Sequence, residues 1–224
     1  MGDATPDVMS NVVPTVFVVD DDPAVLKGIS RLLRAARLEV TTFNSPQEFL
    51  ERHDPNAPGC LVLDLAMPGF NGLELQEALK TKGTVIPIIF LTGHGDVPTS
   101  VQAMKRGALD FLTKPVNGED LINAVHAAIE LDRNARHAKA ELDEIRERLE
   151  TLTPREREVL THVVSGQLNK QIAYDLGTVE KTIKVHRARV MEKMKVGSLA
   201  ELVHLCERLG IGNEWRVESG PGES

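Results

Sequence analysis

Thr15-Val16-Phe17-Val18-Val19-Asp20-Asp21-Asp22-Pro23 decides how the first half of the chain is read. Four β-branched residues and one aromatic make the short run that fills a buried strand. Three carboxylates follow without a break. Asp22-Pro23 then reads as a helix N-cap with proline at the first helical position, where a missing N–H costs nothing. Val25, Ile29, Leu32 and Leu33 continue as an apolar helical stripe. Strand, acidic turn and helix together open an α/β unit.

The same alternation repeats outward from this stretch. Residues 38–43, 60–65, 85–91 and 109–112 predict four further strands. Ser45-Pro46-Gln47-Glu48 predicts a capping box opening a short helix, Asn71 opens another, and a third runs through Val101 and Met104. Five strands alternating with helices predict a parallel, doubly wound sheet with a flavodoxin-like layout.

From Asn117 to about Thr151 there is no proline, and the only glycine is Gly118. Leu121, Ala124, Ala128, Leu131, Ala135, Ala138, Leu142, Ile145, Leu149 and Leu152 recur at 3-4 spacing, a heptad seam. Its first third packs on the sheet. The remainder has no evident core to face, which predicts a self-associating helical linker. Thr153-Pro154-Arg155-Glu156 is a second capping box and starts a new domain. Helices are predicted near 154–165, 169–176, 179–194 and 198–209, separated by Gly166, Gly177 and Gly197. The expected division is a sheet domain over 13–130, a linker over 131–151, an all-helical domain over 152–210 and a flexible tail over 211–224.

Composition sets outer limits. The 224 residues are 42% hydrophobic and 26% charged, too apolar for a disordered chain. The longest apolar run is far below the ~20 residues needed to span a bilayer, and an acidic N-terminus predicts no signal peptide. Cys60 and Cys206 lie far apart with no CxxC, which excludes a zinc spacing or a disulfide scaffold. A cytoplasmic protein is expected. The net charge of −7 is unevenly spread: residues 1–130 carry 10 basic and 17 acidic side chains. Between Lys181 and Lys195, by contrast, Lys181, Lys184, Arg187, Arg189, Lys193 and Lys195 stand against Glu192 alone. Such a concentration in an acidic protein points to a polyanion contact, although a solvated helix face gives the same pattern.

In a doubly wound fold the site lies at the carboxyl ends of the strands. Those ends carry Asp20 and Asp21, Asp64, Thr92 and Lys114. Three converging carboxylates repel unless a cation joins them, and hard oxygen donors suit Mg²⁺. A carboxylate attacks phosphorus to give an aspartyl-phosphate. Mg²⁺ and a lysine would neutralise the transferring group, and the Thr92 hydroxyl would donate to it beside Gly93.

Val18-Val19-Asp20-Asp21-Asp22, Leu63-Asp64-Leu65-Ala66-Met67-Pro68 followed by Gly72, Leu91-Thr92-Gly93, and Phe111-Leu112-Thr113-Lys114-Pro115 together resemble the receiver domain of two-component response regulators. The resemblance covers 15–130. It implies that Asp64 is the phosphoacceptor and that Asp20, Asp21, Asp64 and the carbonyl of Ala66 hold Mg²⁺. It further implies Thr92 as the switch hydroxyl, Lys114 as the phosphate clamp, Phe111 as the aromatic switch, and a cis bond before Pro115. Ala66 and His94 depart from common choices at positions that tune phosphate lifetime in the family. A haloacid-dehalogenase-type phosphatase would need a second Asp where Ala66 stands. A flavodoxin would need a Ser/Thr-rich phosphate loop where three acids stand.

Residues 168–176, a turn, and 179–193 read as a helix-turn-helix, with the basic cluster on the second helix. Lys170 and Thr182 are placed for phosphate, Lys184 and Arg187 for the groove, Val185 for a thymine methyl, and Arg189 and Lys195 for the DNA backbone. Ile183, His186, Val190 and Met194 form the expected buried stripe. Thr153-Pro154-Arg155-Glu156-Arg157-Glu158-Val159-Leu160 through Thr182-Ile183-Lys184-Val185-His186-Arg187 resembles the LuxR-type DNA-binding domain over 150–210, and Thr92-Gly93-His94-Gly95-Asp96 adds a resemblance to the FixJ/NarL type. The turn Gly177-Thr178-Val179 departs from the usual Ile-Ser. The resemblance implies a sensor histidine kinase as phosphodonor and double-stranded operator DNA as target. It implies a homodimer through the receiver face and along the linker, RNA polymerase as a further partner, and transcription activated on phosphorylation. The competing reading is a DNA-binding scaffold with a vestigial receiver.

Overall fold

The computed structural model describes residues 12–93 and 104–211. The chain divides into two compact units, Met1–Arg136 and His137–Ser224. In the first, β1 (Thr15–Val19), β2 (Glu39–Phe43), β3 (Gly59–Asp64), β4 (Ile88–Thr92) and β5 (Asp110–Thr113) form one parallel sheet in the order β2-β1-β3-β4-β5. The order reverses between β1 and β3, which opens a crevice at their carboxyl ends. Strand β4 starts later than expected because Val85 is exposed and Pro87 has no amide for the ladder, so pairing begins at Ile88 opposite Leu61.

Alternation along each strand divides the core between the two faces of the sheet. Phe17, Val19, Leu61, Leu63 and Phe90 pack on one side with Phe49 of α2 (Pro46–Arg52) and with Leu75 and Leu79 of α3 (Gly72–Thr81). Val16, Val18, Val62, Ile89 and Leu91 pack on the other with Ile29 and Leu33 of α1 (Pro23–Ala35). Leu121, Ala124, Val125 and Ala128 of α4 (Gly118–Glu150) complete that second layer.

The caps follow the sequence with one difference. Asp22 accepts from the amide of Ala24, and Asn71 with Glu74 forms a full capping box. At α2, Ser45 accepts from the Glu48 amide as expected, but Glu48 reaches back to the amide of Asn44, one residue beyond the usual partner. Of the helix expected through Val101 and Met104, only Met104 and Lys105 are described; Val101, His94, Gly95 and Asp96 lie outside the described residues.

The second unit is helical: the end of α4, then α5 (Pro154–Val164), α6 (Asn169–Asp175), α7 (Glu180–Lys193) and α8 (Leu199–Arg208). Its core gathers Ile145, Leu152, Val159, Leu160, Val163, Ile172, Ile183, Val190, Met194 and Leu202. This corrects the reading of the heptad seam. Ile145 and Leu152 are buried here and Leu149 packs beside them, so the final turns of α4 do have a core to face. The exposed seam positions are Leu131, Ala135 and Ala138, between the stretches that serve the two cores. The expected tail lies outside the described residues after Ile211.

Candidate functional site

Each carboxylate is set by the end of a strand. Asp20 follows β1 and is 1% exposed, Asp64 ends β3 at 5%, and Asp21 beside them is open to solvent. One oxygen from each of the three lies within 4.8 Å of the others, a set of hard donors that fits a divalent cation. The Lys114 ammonium meets Asp20 Oδ2 at 2.5 Å and Asp64 Oδ1 at 2.9 Å. Asp20 Oδ1 accepts from the amide of Asp22 at 2.9 Å. Two buried carboxylates therefore share one ammonium, and the negative charge left over is the property a Mg²⁺ ion would balance.

Burial pushes the Asp20 carboxyl above its ordinary pKa, and the opposing bonds from Lys114 and the Asp22 amide do not overcome it. At Lys114 burial works the other way, but hydrogen bonds to Asp20 and Asp64 outweigh it and hold the ammonium above the ordinary lysine value. Lys114 is therefore a fixed positive charge at neutral pH.

Register brings in the remaining residues. Asp64 pairs with Leu91 across β3 and β4, which puts Thr92, 3% exposed, at the adjoining strand end. Thr92 pairs with Thr113, and its carbonyl accepts from the amide of Lys114 at 2.6 Å. The Lys114–Pro115 bond is cis. Phe111 is partly buried against the Phe90 side of the sheet. Ala66 lies two residues past Asp64, exposed, in the loop before α3. That loop returns tightly, since a Cβ on Gly72 would sit 2.5 Å from the carbonyl oxygen of Asp64.

In the helical unit, α6 and α7 form the expected helix-turn-helix. Ile183, Val190 and Met194 are buried, and His186 is half-buried. Lys170, Lys184, Arg189 and Lys195 are exposed, Val185 is 46% exposed, and Thr182 is partly covered. Lys195 follows α7 with a left-handed backbone, φ 55. Three members of the basic cluster are engaged within the domain. Arg187 donates to Asn169 Oδ1 at 3.1 Å, and Lys193 donates to Glu156 Oε2 at 2.6 Å and to the Thr151 carbonyl at 3.0 Å. Lys184 makes an exposed pair with Glu180.

Known proteins share both halves. Residues 16–126 match the response regulator receiver domain family, and residues 150–206 match the bacterial regulatory proteins of the luxR family. Nodulation protein W of Bradyrhizobium diazoefficiens is 46% identical over 196 residues, which is 88% of this chain and 86% of that protein. The transcriptional regulatory protein FixJ of Azorhizobium caulinodans is 45% identical over 198 residues, 88% of this chain and 93% of that protein. The solved structure of the response regulator StyR superposes with a TM-score of 0.80 at 48% identity, covering 88% of this chain and 99% of that one.

The chain belongs to the response regulators with a LuxR-type DNA-binding domain.

The regulator thus joins a receiver domain to a LuxR-type DNA-binding domain, the architecture of relatives named as response and transcriptional regulators. Among its described residues no helix is long and apolar enough to cross a membrane. Two features of the regulator are missing from the sequence reading. Glu156 was legible as half of a capping box, but its bond to Lys193, 37 positions away, has no local signal. Asp132 and Arg136 have the i,i+4 spacing of an ordinary charge pair, yet Asp132 is 4% exposed and accepts from the amide of Gly59.

Proposed function

We propose that Asp64 accepts a phosphoryl group from the phosphohistidine of a sensor kinase, and that the phosphorylated receiver changes how the C-terminal domain engages operator DNA. The observation that carries this reading is the Lys114 ammonium shared between Asp20 and Asp64 at the crevice of the sheet. In the transfer an Asp64 carboxylate oxygen bonds to phosphorus as the phosphorus–nitrogen bond to the donor breaks, and the imidazole regains its proton. Lys114 is poised to follow the charge onto the phosphoryl oxygens. Thr92 would donate its hydroxyl to the new group, and Phe111 would follow Thr92. Asp20, Asp21, Asp64 and the Ala66 carbonyl would hold Mg²⁺, which neutralises charge on the phosphoryl oxygens.

In the DNA-binding domain, Lys170, Thr182, Arg189 and Lys195 serve phosphates, while Lys184, Val185 and Arg187 serve the major groove. Arg187 is steadied by its bond to Asn169, which leaves further guanidinium N–H groups for a base contact. Pairing of two receivers through the face that includes β5 and α4 would bring two recognition helices to half-sites about one turn apart. The linker's share in that pairing is confined to the exposed stretch around Leu131, Ala135 and Ala138. RNA polymerase recruitment follows at activated promoters. The test is binding to a duplex selected from a random pool, with and without an acyl-phosphate donor. Wild type should gain affinity on phosphorylation and Asp64→Asn should not. Equal affinity in all four conditions would instead support a scaffold with a vestigial receiver.

A further inference from the structure

The part of α4 nearest the unit boundary is held by charge, not by packing. Apolar contact with the sheet ends at Ala128 and Ile129, and Leu131 is 49% exposed. Beyond it, Asp132 Oδ2 accepts from the Gly59 amide at 2.9 Å and from Arg136 Nε at 2.7 Å. Arg136 spends its other two nitrogens on the carbonyls of Asn56 and Ala57, at 2.8 and 2.7 Å. A carboxylate this buried is tolerated only when paired and hydrogen-bonded, and here both conditions are met.

The anchor itself has little freedom. Gly59 has φ 146, and a Cβ there would sit 1.8 Å from the Thr15 carbonyl oxygen, so only glycine fits. The neighbouring Pro58 carbonyl accepts from the Thr15 amide at 2.9 Å. Gly59 is also the first residue of β3, and Asp64 is the last. The first compact unit ends at Arg136, although α4 continues unbroken to Glu150.

We infer that Asp132 and Arg136 are positioning residues: they bind α4 to the start of β3, make the helix up to Arg136 part of the receiver, and carry the phosphorylation state of Asp64 to the residues beyond. The inference rests on the phosphoacceptor reading above. Apolar packing of Leu121 to Ala128 sets how closely α4 lies on the sheet, but it is non-directional. Three directional hydrogen bonds to residues 56, 57 and 59, braced by the Arg136–Asp132 bond within the helix, fix the rotation and axial register at which the helix leaves the receiver. Without them, a shift in β3 is absorbed by loosening of the turn after Leu131.

The experiment is hydrogen exchange on the full chain, with and without Mg²⁺ and beryllofluoride, a mimic of the aspartyl-phosphate. Wild type, Arg136→Met and Arg136→Lys are compared. Arg136→Met should speed exchange over 129–136 by about tenfold, with little change at Val125 and before, as expected for local opening. In wild type beryllofluoride should slow exchange around Asp64 and also alter it over 137–145. In Arg136→Met the effect around Asp64 should persist and the effect over 137–145 should vanish; Arg136→Lys, which keeps the charge, should restore part of it. A merely structural role would change the basal rates and leave that ligand-dependent difference intact. A difference of wild-type size over 137–145 in Arg136→Met, or none in wild type despite protection around Asp64, overturns the inference and spares the phosphoacceptor reading. If beryllofluoride protects nothing around Asp64 in wild type, the phosphoacceptor reading fails and the signalling role of the clamp fails with it. Unchanged basal exchange over 129–136 in Arg136→Met overturns the anchoring role.

Discussion

Glu156 offers a quantitative test of how the DNA-binding domain is held together. It is 2% exposed, accepts from Lys193 Nζ at 2.6 Å and from the Thr153 amide at 2.9 Å, and so joins the start of α5 to the last turn of α7. The hydrogen bond from Lys193, with the Thr153 amide second, lowers its pKa from 4.5 to about 2. At 1.36 kcal/mol per unit, a shift of this size corresponds to roughly 3 kcal/mol, and solvent access to Lys193 reduces that to about 2 kcal/mol. The folded-state pKa is depressed, so this stability is present above the unfolded value of 4.5 and is lost as pH falls through about 2. Glu156→Gln keeps the shape and an acceptor for Thr153 but removes the charge. We predict that the variant domain is less stable by about 2 kcal/mol at pH 7 and that the gap closes between pH 4.5 and 2. Urea unfolding followed by the methyl resonances of Ile172 and Ile183, both in this core, reads the domain without interference from the receiver. A gap that stays constant through that pH window would refute the reasoning.

Three further outcomes are expected. Leu168 and Val179 stand at the N-caps of α6 and α7 without side-chain cap bonds, so Leu168→Ser should stabilise the domain by about 1 kcal/mol in the same urea assay. Lys195 holds a left-handed backbone that glycine adopts freely. Lys195→Gly should therefore gain about 1 kcal/mol of stability, while the log–log salt dependence of DNA binding becomes shallower by about 0.9, the share of one phosphate contact. Gly72→Ala places a Cβ 2.5 Å from the Asp64 carbonyl oxygen and 3.0 Å from Phe90 Cε1. It should cost the receiver about 1–3 kcal/mol by thermal unfolding and slow phosphorylation of the displaced acceptor.

Much of the fold was legible because its signals are local. Asp22-Pro23, Asn71 to Glu74 and Thr153 to Glu156 announce helix starts, and the runs of β-branched residues announce strands. Asp20, Asp64 and Lys114 were legible as one site because a doubly wound topology sends every strand end to the same edge. What failed to show was long-range. A heptad seam looks the same whether it faces a partner helix or two separate cores, so the burial of Ile145 and Leu152 emerges only with the fold. The charge of α7 looked free because Lys193 and Glu156 are distant in sequence. Asp132 and Arg136 carry the spacing of an ordinary surface pair, and the backbone of Asn56, Ala57 and Gly59, distant in sequence, turns them into a clamp.

Phosphorylation at Asp64 underlies every functional step proposed above. Its most direct test is the intact mass of wild type and Asp64→Asn after incubation with Mg²⁺ and either a small acyl-phosphate donor or a phosphorylated sensor kinase. Wild type alone should show a Mg²⁺-dependent gain of one phosphoryl group. An equal gain in Asp64→Asn would contradict this and assign the chemistry to another carboxylate.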